Sequence, residues 1–151
     1  MKVARTMTRE VVCVSPSHSL TNAYGLMTEW GIRHLPVVDG RRLVGILSDR
    51  DLLLSGMRTV SGVAFPPQAV GEVMTPRPMT CRRGTTIGEA AAMMLDHKID
   101  SLPVVDLDGD LVGLLTTSDL LGLLRERDAD EATVEAVPFS LRFAERLVQE
   151  V

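Results

Sequence analysis

Two short patterns in this chain carry groups suited to chemistry: Ser48-Asp49-Arg50-Asp51 and Thr116-Thr117-Ser118-Asp119. Each sets a hydroxyl three residues ahead of a carboxylate, directly after an apolar run. A carboxylate accepts through two oxygens, so one aspartate matches the paired hydroxyls of a cis-diol. A helix opening at Ser48 or Thr116 would also turn unpaired N–H groups and partial positive charge toward an anion. The same spacing is close to that of a capping box, which needs no ligand. Spacing alone leaves both roles open, and they can coexist.

The other reactive residues form no catalytic pattern. His18, His34 and His97 lack metal-ligand spacing with cysteine or carboxylate. There is no P-loop, Gly-x-Gly-x-x-Gly or Gly-x-Ser-x-Gly. The Asp-Gly turns lack the remainder of a calcium loop. No enzyme is expected. Cys13 and Cys81 stand in apolar, strand-like runs and are expected as buried free thiols rather than a disulfide framework.

The elements that must position the two aspartates come in duplicate. Met7-Thr8 recurs as Met74-Thr75, a shift of 67. At that shift Ala23, Met27 and Ile32 meet Ala90, Met94 and Ile99, and Leu35–Asp39 meets Leu102–Asp106 in an identical Leu-Pro-Val-Val-Asp. One residue is then inserted, and at a shift of 68 Leu43-Val44-Gly45 meets Leu111-Val112-Gly113. Ordered self-similarity on this scale marks a true repeat. Each copy reads as strand, helix, strand, strand, helix, an α/β (α+β) pattern. The first strand is expected at Val11–Val14 or Met79–Cys81. The first helix is expected at about Ser19–Trp30 or Thr86–His97, with Leu20, Ala23, Tyr24 and Met27 on one face and Ile87, Ala90, Ala91 and Met94 on the other copy's. Thr86 with Glu89 reads as a capping box, and Gly31 as a stop. The next two strands enclose Asp-Gly turns, a hairpin signal.

The expected boundaries are a first repeat over 1–58, a linker over 59–69, a second repeat over 70–127, and a tail over 128–151. The tail combines an acidic stretch, Asp128–Glu135, with an amphipathic pattern from Pro138 to Val151. The whole chain has 151 residues, 45% hydrophobic, and a net charge of −4, which argues against general nucleic-acid binding. No apolar run approaches the length of a membrane span and the N-terminus has no apolar leader core, so a cytoplasmic protein is expected.

These residues resemble the cystathionine β-synthase (CBS) domain family. Its pattern is a Met-Thr start, a central Leu-Pro-Val-Val-Asp, and Gly-hydrophobic-hydrophobic-[Ser/Thr]-x-x-Asp opening the last helix. Here the last part reads Gly45-Ile46-Leu47-Ser48-Asp49-Arg50-Asp51 and Gly113-Leu114-Leu115-Thr116-Thr117-Ser118-Asp119, and the likeness covers Val3–Arg125. The resemblance implies two repeats packed through their sheets about a pseudo-two-fold axis, a Bateman module, with two clefts that take AMP, ADP, ATP or S-adenosylmethionine. It implies a non-catalytic regulatory role with no required cofactor. It nominates Ser48 with Asp51 and Thr116 with Asp119 for ribose and phosphate. It places Val12, Val14, Ile32 and Pro36 in one adenine slot, and Met79, Cys81, Ile99 and Pro103 in the other.

Arg33 and His34 precede the first Leu-Pro-Val-Val, where related modules often carry phosphate-facing basic residues. Asp100 and Ser101 take those positions in the second copy, so unequal clefts are expected. The run Leu52–Leu54, and the pairs Leu120-Leu121 and Leu123-Leu124, exceed what one packing face needs. The resemblance implies that a second module covers them, making a homodimer, with the C-terminal helix as the alternative cover; a protein partner is expected at that helix. The alternative is a structural dimerisation module whose clefts are degenerate.

Overall fold

The computed structural model describes residues 1–127; the expected tail helix over 138–151 and the acidic stretch 128–135 lie outside the described residues. A single 3-10 turn (Val3–Arg5) is followed by α1 (Leu20–Trp30), β1 (His34–Asp39), β2 (Arg42–Ser48) and α2 (Asp49–Ser55). A small hairpin of β3 (Met57–Thr59) and β4 (Gly62–Ala64), then the one-turn helix α3 (Val70–Val73), lead on to the second copy. That copy contains β5 (Thr75–Pro76), α4 (Ile87–His97), β6 (Ser101–Val105), β7 (Leu111–Thr116) and α5 (Thr117–Arg127). The stretch read as a linker, 59–69, thus carries most of a hairpin.

Local chemistry explains the element ends. Ser19 accepts from the Asn22 N–H at the start of α1, and Thr86 with Glu89 forms a reciprocal capping box on α4. The Thr86 bonds to the exposed Glu89 carboxylate hold its pKa below the ordinary value. Gly31 ends α1 in the left-handed region at φ 61°. Lys98 holds the equivalent position after α4 at φ 52°, where a side chain is sterically costly.

The expected first strands are reduced to single parallel bridges, Val14 with Val37 and Cys81 with Val104. Proline accounts for this. Val14 N–H donates to the Pro36 carbonyl, and Val38 N–H donates to the Val14 carbonyl. The next rung toward the N-terminus would need an N–H at residue 36, which proline lacks. Pro103 limits Cys81 in the same way, with Cys81 N–H donating to Pro103 and Val105 N–H to Cys81.

The two repeats exchange their edges. β1, β2 and β5 form one antiparallel sheet, so the Thr75-Pro76 start of the second copy extends the first copy's sheet at Ile46 and Gly45. Reciprocally, Thr8 and Leu114 exchange both backbone hydrogen bonds, at 2.9 and 3.0 Å, on the edge of β7. Where the β1–β2 and β6–β7 turns meet, Leu43 N–H donates to Gly109 and Leu111 N–H donates to Arg41, a two-fold related pair of bonds. The cores follow the exchange. Val70, Val73 and Met74 pack with Leu20, Leu35 and Leu47, whereas Val3 and Met7 pack with Leu102, Val104 and Leu115.

Two side chains depart from expectation. Tyr24 stands at the rim of its core and packs on Phe65, with ring centroids 5.3 Å apart. Cys13 is exposed while Cys81 is buried. Val14 turns inward beneath α1, so Cys13, one residue earlier in an extended segment, faces the other way. Burial pushes the Cys81 thiol up to about 11.

Candidate functional site

Two clefts flank the pseudo-two-fold axis, with volumes of about 300 and 270 Å3. The first is lined by Thr8, Val12, Gly31, Ile32, Arg33 and Leu114, among others. The second is lined by Thr75, Met79, Lys98, Ile99, Asp100 and Ile46 at the equivalent positions. Each cleft is therefore built from both repeats. Ile32, Arg33 and His34 face Thr116 and Ser118, whereas Met79, Ile99 and Asp100 face Ser48, Arg50 and Asp51. The exchanged edges explain the crossing, because Thr8 is fixed to β7 and Thr75 to β2.

Both nominated aspartates cap their helices. The Ser48 N–H and hydroxyl donate to Asp51 Oδ2 at 2.8 and 2.9 Å, and the Asp51 N–H donates back to Ser48 Oγ at 3.1 Å. Thr116 treats Asp119 Oδ2 alike, at 2.7 and 3.0 Å. Only Oδ2 is engaged in each case, which leaves Oδ1 as an acceptor. Asp51 lines the second cleft, whereas Asp119 does not line the first; it is bonded to Thr116, which does.

The charges around the clefts are unequal. Arg33 and Glu10 border the first; Arg50, Lys98, Asp49, Asp51 and Asp100 border the second. His34 touches both. Burial lowers its pKa; Asp49, Asp100 and Asp51 oppose the shift, and Arg33 adds to it. The imidazole is thus held toward its neutral, hydrogen-bonding form. Among the described residues, no cluster of His, Cys, Asp or Glu could hold a metal ion.

The nominated apolar residues divide. Val12, Ile32, Met79 and Ile99 line the clefts. Val14 and Cys81 lie in the cores, and Pro36 and Pro103 are buried in their strands. The bridges at Val14 and Cys81 pull those residues beneath α1 and α4, so only the residues before them reach the clefts. Lys98, Arg50 and Trp30 were not nominated. Lys98 was legible as the partner of Gly31 in the repeat; Arg50 and Trp30 needed the crossing and the tertiary contacts.

The CBS domain family model matches residues 3–57 and 70–126, so this chain belongs to the CBS domain family and carries two CBS domains in tandem. It is 39% identical over 112 residues to inosine-5'-monophosphate dehydrogenase of Korarchaeum cryptofilum, covering 74% of this chain and 22% of the dehydrogenase. It is 33% identical over 147 residues to the chloroplastic CBS domain-containing protein CBSX2 of Arabidopsis thaliana, covering 80% of this chain and 62% of that protein. The chain thus spans less than two thirds of either relative. The crystal structure of CBSX2 in complex with AMP superposes with a TM-score of 0.72 at 34% identity, covering 84% of this chain and 98% of that one. The cytosolic domain of the Mg2+ channel MgtE in complex with ATP gives a TM-score of 0.67 at 32% identity, covering 81% and 48%. No described helix is long and apolar enough to cross a membrane.

Proposed function

We propose that this chain is a non-catalytic, cytoplasmic regulatory module that binds an adenine nucleotide, or the related adenosyl ligand S-adenosylmethionine, in its two inter-repeat clefts. The observation that carries the reading is the paired arrangement of a capped aspartate with one free oxygen, a helix N-terminus, and an apolar wall from the other repeat. Asp51 and Asp119 accept from ribose hydroxyls. The N-termini of α2 and α5, with Ser48 and Thr116, face the phosphates. Adenine lies on Val12 and Ile32 in the first cleft, and on Met79 and Ile99 in the second. The complexes of CBSX2 with AMP and of MgtE with ATP support this ligand class. Because each cleft takes walls from both repeats, a ligand favours one relative setting of the repeats by its differential affinity for the two settings. A protein partner reads that setting, with residues 138–151 as its contact.

At a hundred times its Kd, the right ligand stabilises the fold by about 2.7 kcal/mol. For a chain of this size, that raises the melting temperature by about 5–10 °C. A thermal-shift screen of AMP, ADP, ATP, S-adenosylmethionine and NAD is the test. If none shifts the melt at millimolar concentration, the chain is a structural module with degenerate clefts.

The module is also proposed to be a homodimer. Leu53, Leu54 and Met57 are 67, 83 and 71% exposed, and Leu121 and Leu124 are 64 and 54% exposed. This apolar surface on α2, the start of β3 and α5 calls for a second cover. Sedimentation at tens of micromolar is expected to give about twice the 16.5 kDa chain mass. A pure monomer would remove the dimer.

A further inference from the structure

Residues 9–13 form a strap that crosses from the sheet of one repeat to the other, tied by Thr8 at one end and Val14 at the other. Between those ties, no backbone N–H or C=O bonds to another backbone group among the described residues. Val14 directs its N–H and C=O inward to β1, so those of Val11 and Cys13 point outward, as alternation along an extended segment requires. The strap also has two side-chain faces. Glu10 and Val12 line the first cleft, while Arg9 and Cys13 line a groove on the opposite side. That groove consists of two adjoining hollows of about 200 and 310 Å3 that share Arg9 and Val112. Arg41 borders one hollow and Arg83 the other.

The second repeat differs in both respects. Its strap, residues 76–80, contains Pro76 and Pro78, which lack N–H groups, and Arg77 N–H is already bound to the Val44 carbonyl. Proline is a usual device for closing a strand edge to further pairing. The positions equivalent to Arg9, Arg41 and Arg83 hold Pro76, Gly109 and Pro16, so only one repeat has the cationic groove. The side-chain bond of Arg9 runs to the Ala4 carbonyl rather than to an acid.

We propose that this groove docks an extended acidic peptide segment of a partner protein, added as a strand along Val11–Cys13. The open N–H and C=O groups supply main-chain bonds, and alternate acidic side chains meet Arg9, Arg41 and Arg83. The geometry is independent of what the two clefts bind.

The test uses the full chain and a fluorescein-labelled octapeptide alternating glutamate with valine. The expected result is saturable binding by anisotropy, no binding of the lysine-for-glutamate counterpart, and at least a tenfold weakening in Arg9→Glu/Arg41→Glu. These arginines are exposed, so the variant keeps its circular dichroism. Prior labelling of Cys13 with a bulky maleimide blocks the groove and abolishes binding. The proposal fails if the glutamate peptide does not bind, if the lysine peptide binds equally, or if the double variant binds unchanged. Tighter binding of an oligonucleotide of equal charge would make this a polyanion site. Binding that appears only after Asp128, Asp130, Glu131 and Glu135 are neutralised would assign the groove to the chain's own acidic stretch. Either of those results overturns the partner peptide.

Discussion

Asp51→Asn is expected to weaken nucleotide binding in the second cleft by about 1.5–3 kcal/mol, which is a loss of about 10- to 150-fold. The proposed binding mode gives the carboxylate two jobs there. Its Oδ2 accepts from both the Ser48 N–H and hydroxyl, and its Oδ1 is the oxygen left for ribose. Asparagine keeps one carbonyl oxygen for the cap but replaces the other acceptor with an amide donor and removes the charge. Unliganded stability should fall as well, by at most about 1 kcal/mol, because the cap is weakened rather than lost. Calorimetric titration with the best nucleotide from the thermal screen reads the first quantity, and urea unfolding reads the second. Lost stability with unchanged affinity would confine Asp51 to its cap.

The crossing between repeats gives this experiment a second arm. Ile99→Trp fills the cleft that Asp51 borders, whereas Ile32→Trp fills the other. Combined with Asp51→Asn, Ile99→Trp should remove only the weakened site and leave the other at full affinity, while Ile32→Trp should leave only the weakened site. The reverse pattern would place Asp51 with its own repeat. Asp119→Asn should mirror the result in the first cleft. Unequal losses are expected, because Lys98, Arg50 and Asp100 line one cleft and Arg33 with Glu10 the other.

Gly113→Val is expected to destabilise the fold by about 3 kcal/mol, at the upper end of the usual cost of overpacking. A Cβ at Gly113 would lie 2.6 Å from Met7 Sδ and 3.1 Å from the Thr8 carbonyl oxygen. Gly45 is closed in the same way by Met74 and the Thr75 carbonyl. Each glycine thus makes room for the Met-Thr edge of the other repeat. Methionine can swing aside and the edge backbone cannot, so Met7→Ala should relieve only part of the cost. The double variant is expected to be more stable than the sum of the singles by at least about 1 kcal/mol. Simple additivity in urea unfolding would mean that the Met7 edge does not pack on Gly113 in solution.

Much of the fold is legible in the linear sequence. The ends of α1 and α4, the Asp-Gly turns and the β1–β2 and β6–β7 hairpins depend on residues close in sequence. Capping, left-handed stops and turn geometry act over three or four residues, so their signals survive in a linear string. The duplicated pattern also pointed to the CBS family, now matched over both repeats. The first strands were overextended because a proline on a neighbouring strand, not on their own segment, deletes the rung they needed.

The clefts themselves were a tertiary decision. A Met-Thr edge has the same residues whether it completes its own repeat's sheet or the other's, so the repeat pattern is blind to the exchange. In the exchanged form Met7 packs against Gly113 and Met74 against Gly45. That exchange carries Thr116 to Ile32 and Ser48 to Ile99. The residue types, and the caps that hold the two aspartates, were written locally. Which repeat's apolar wall completes each cleft depends on contacts between segments distant in sequence, Thr8 with β7 and Thr75 with β2, and no signal acting over three or four residues carries that information.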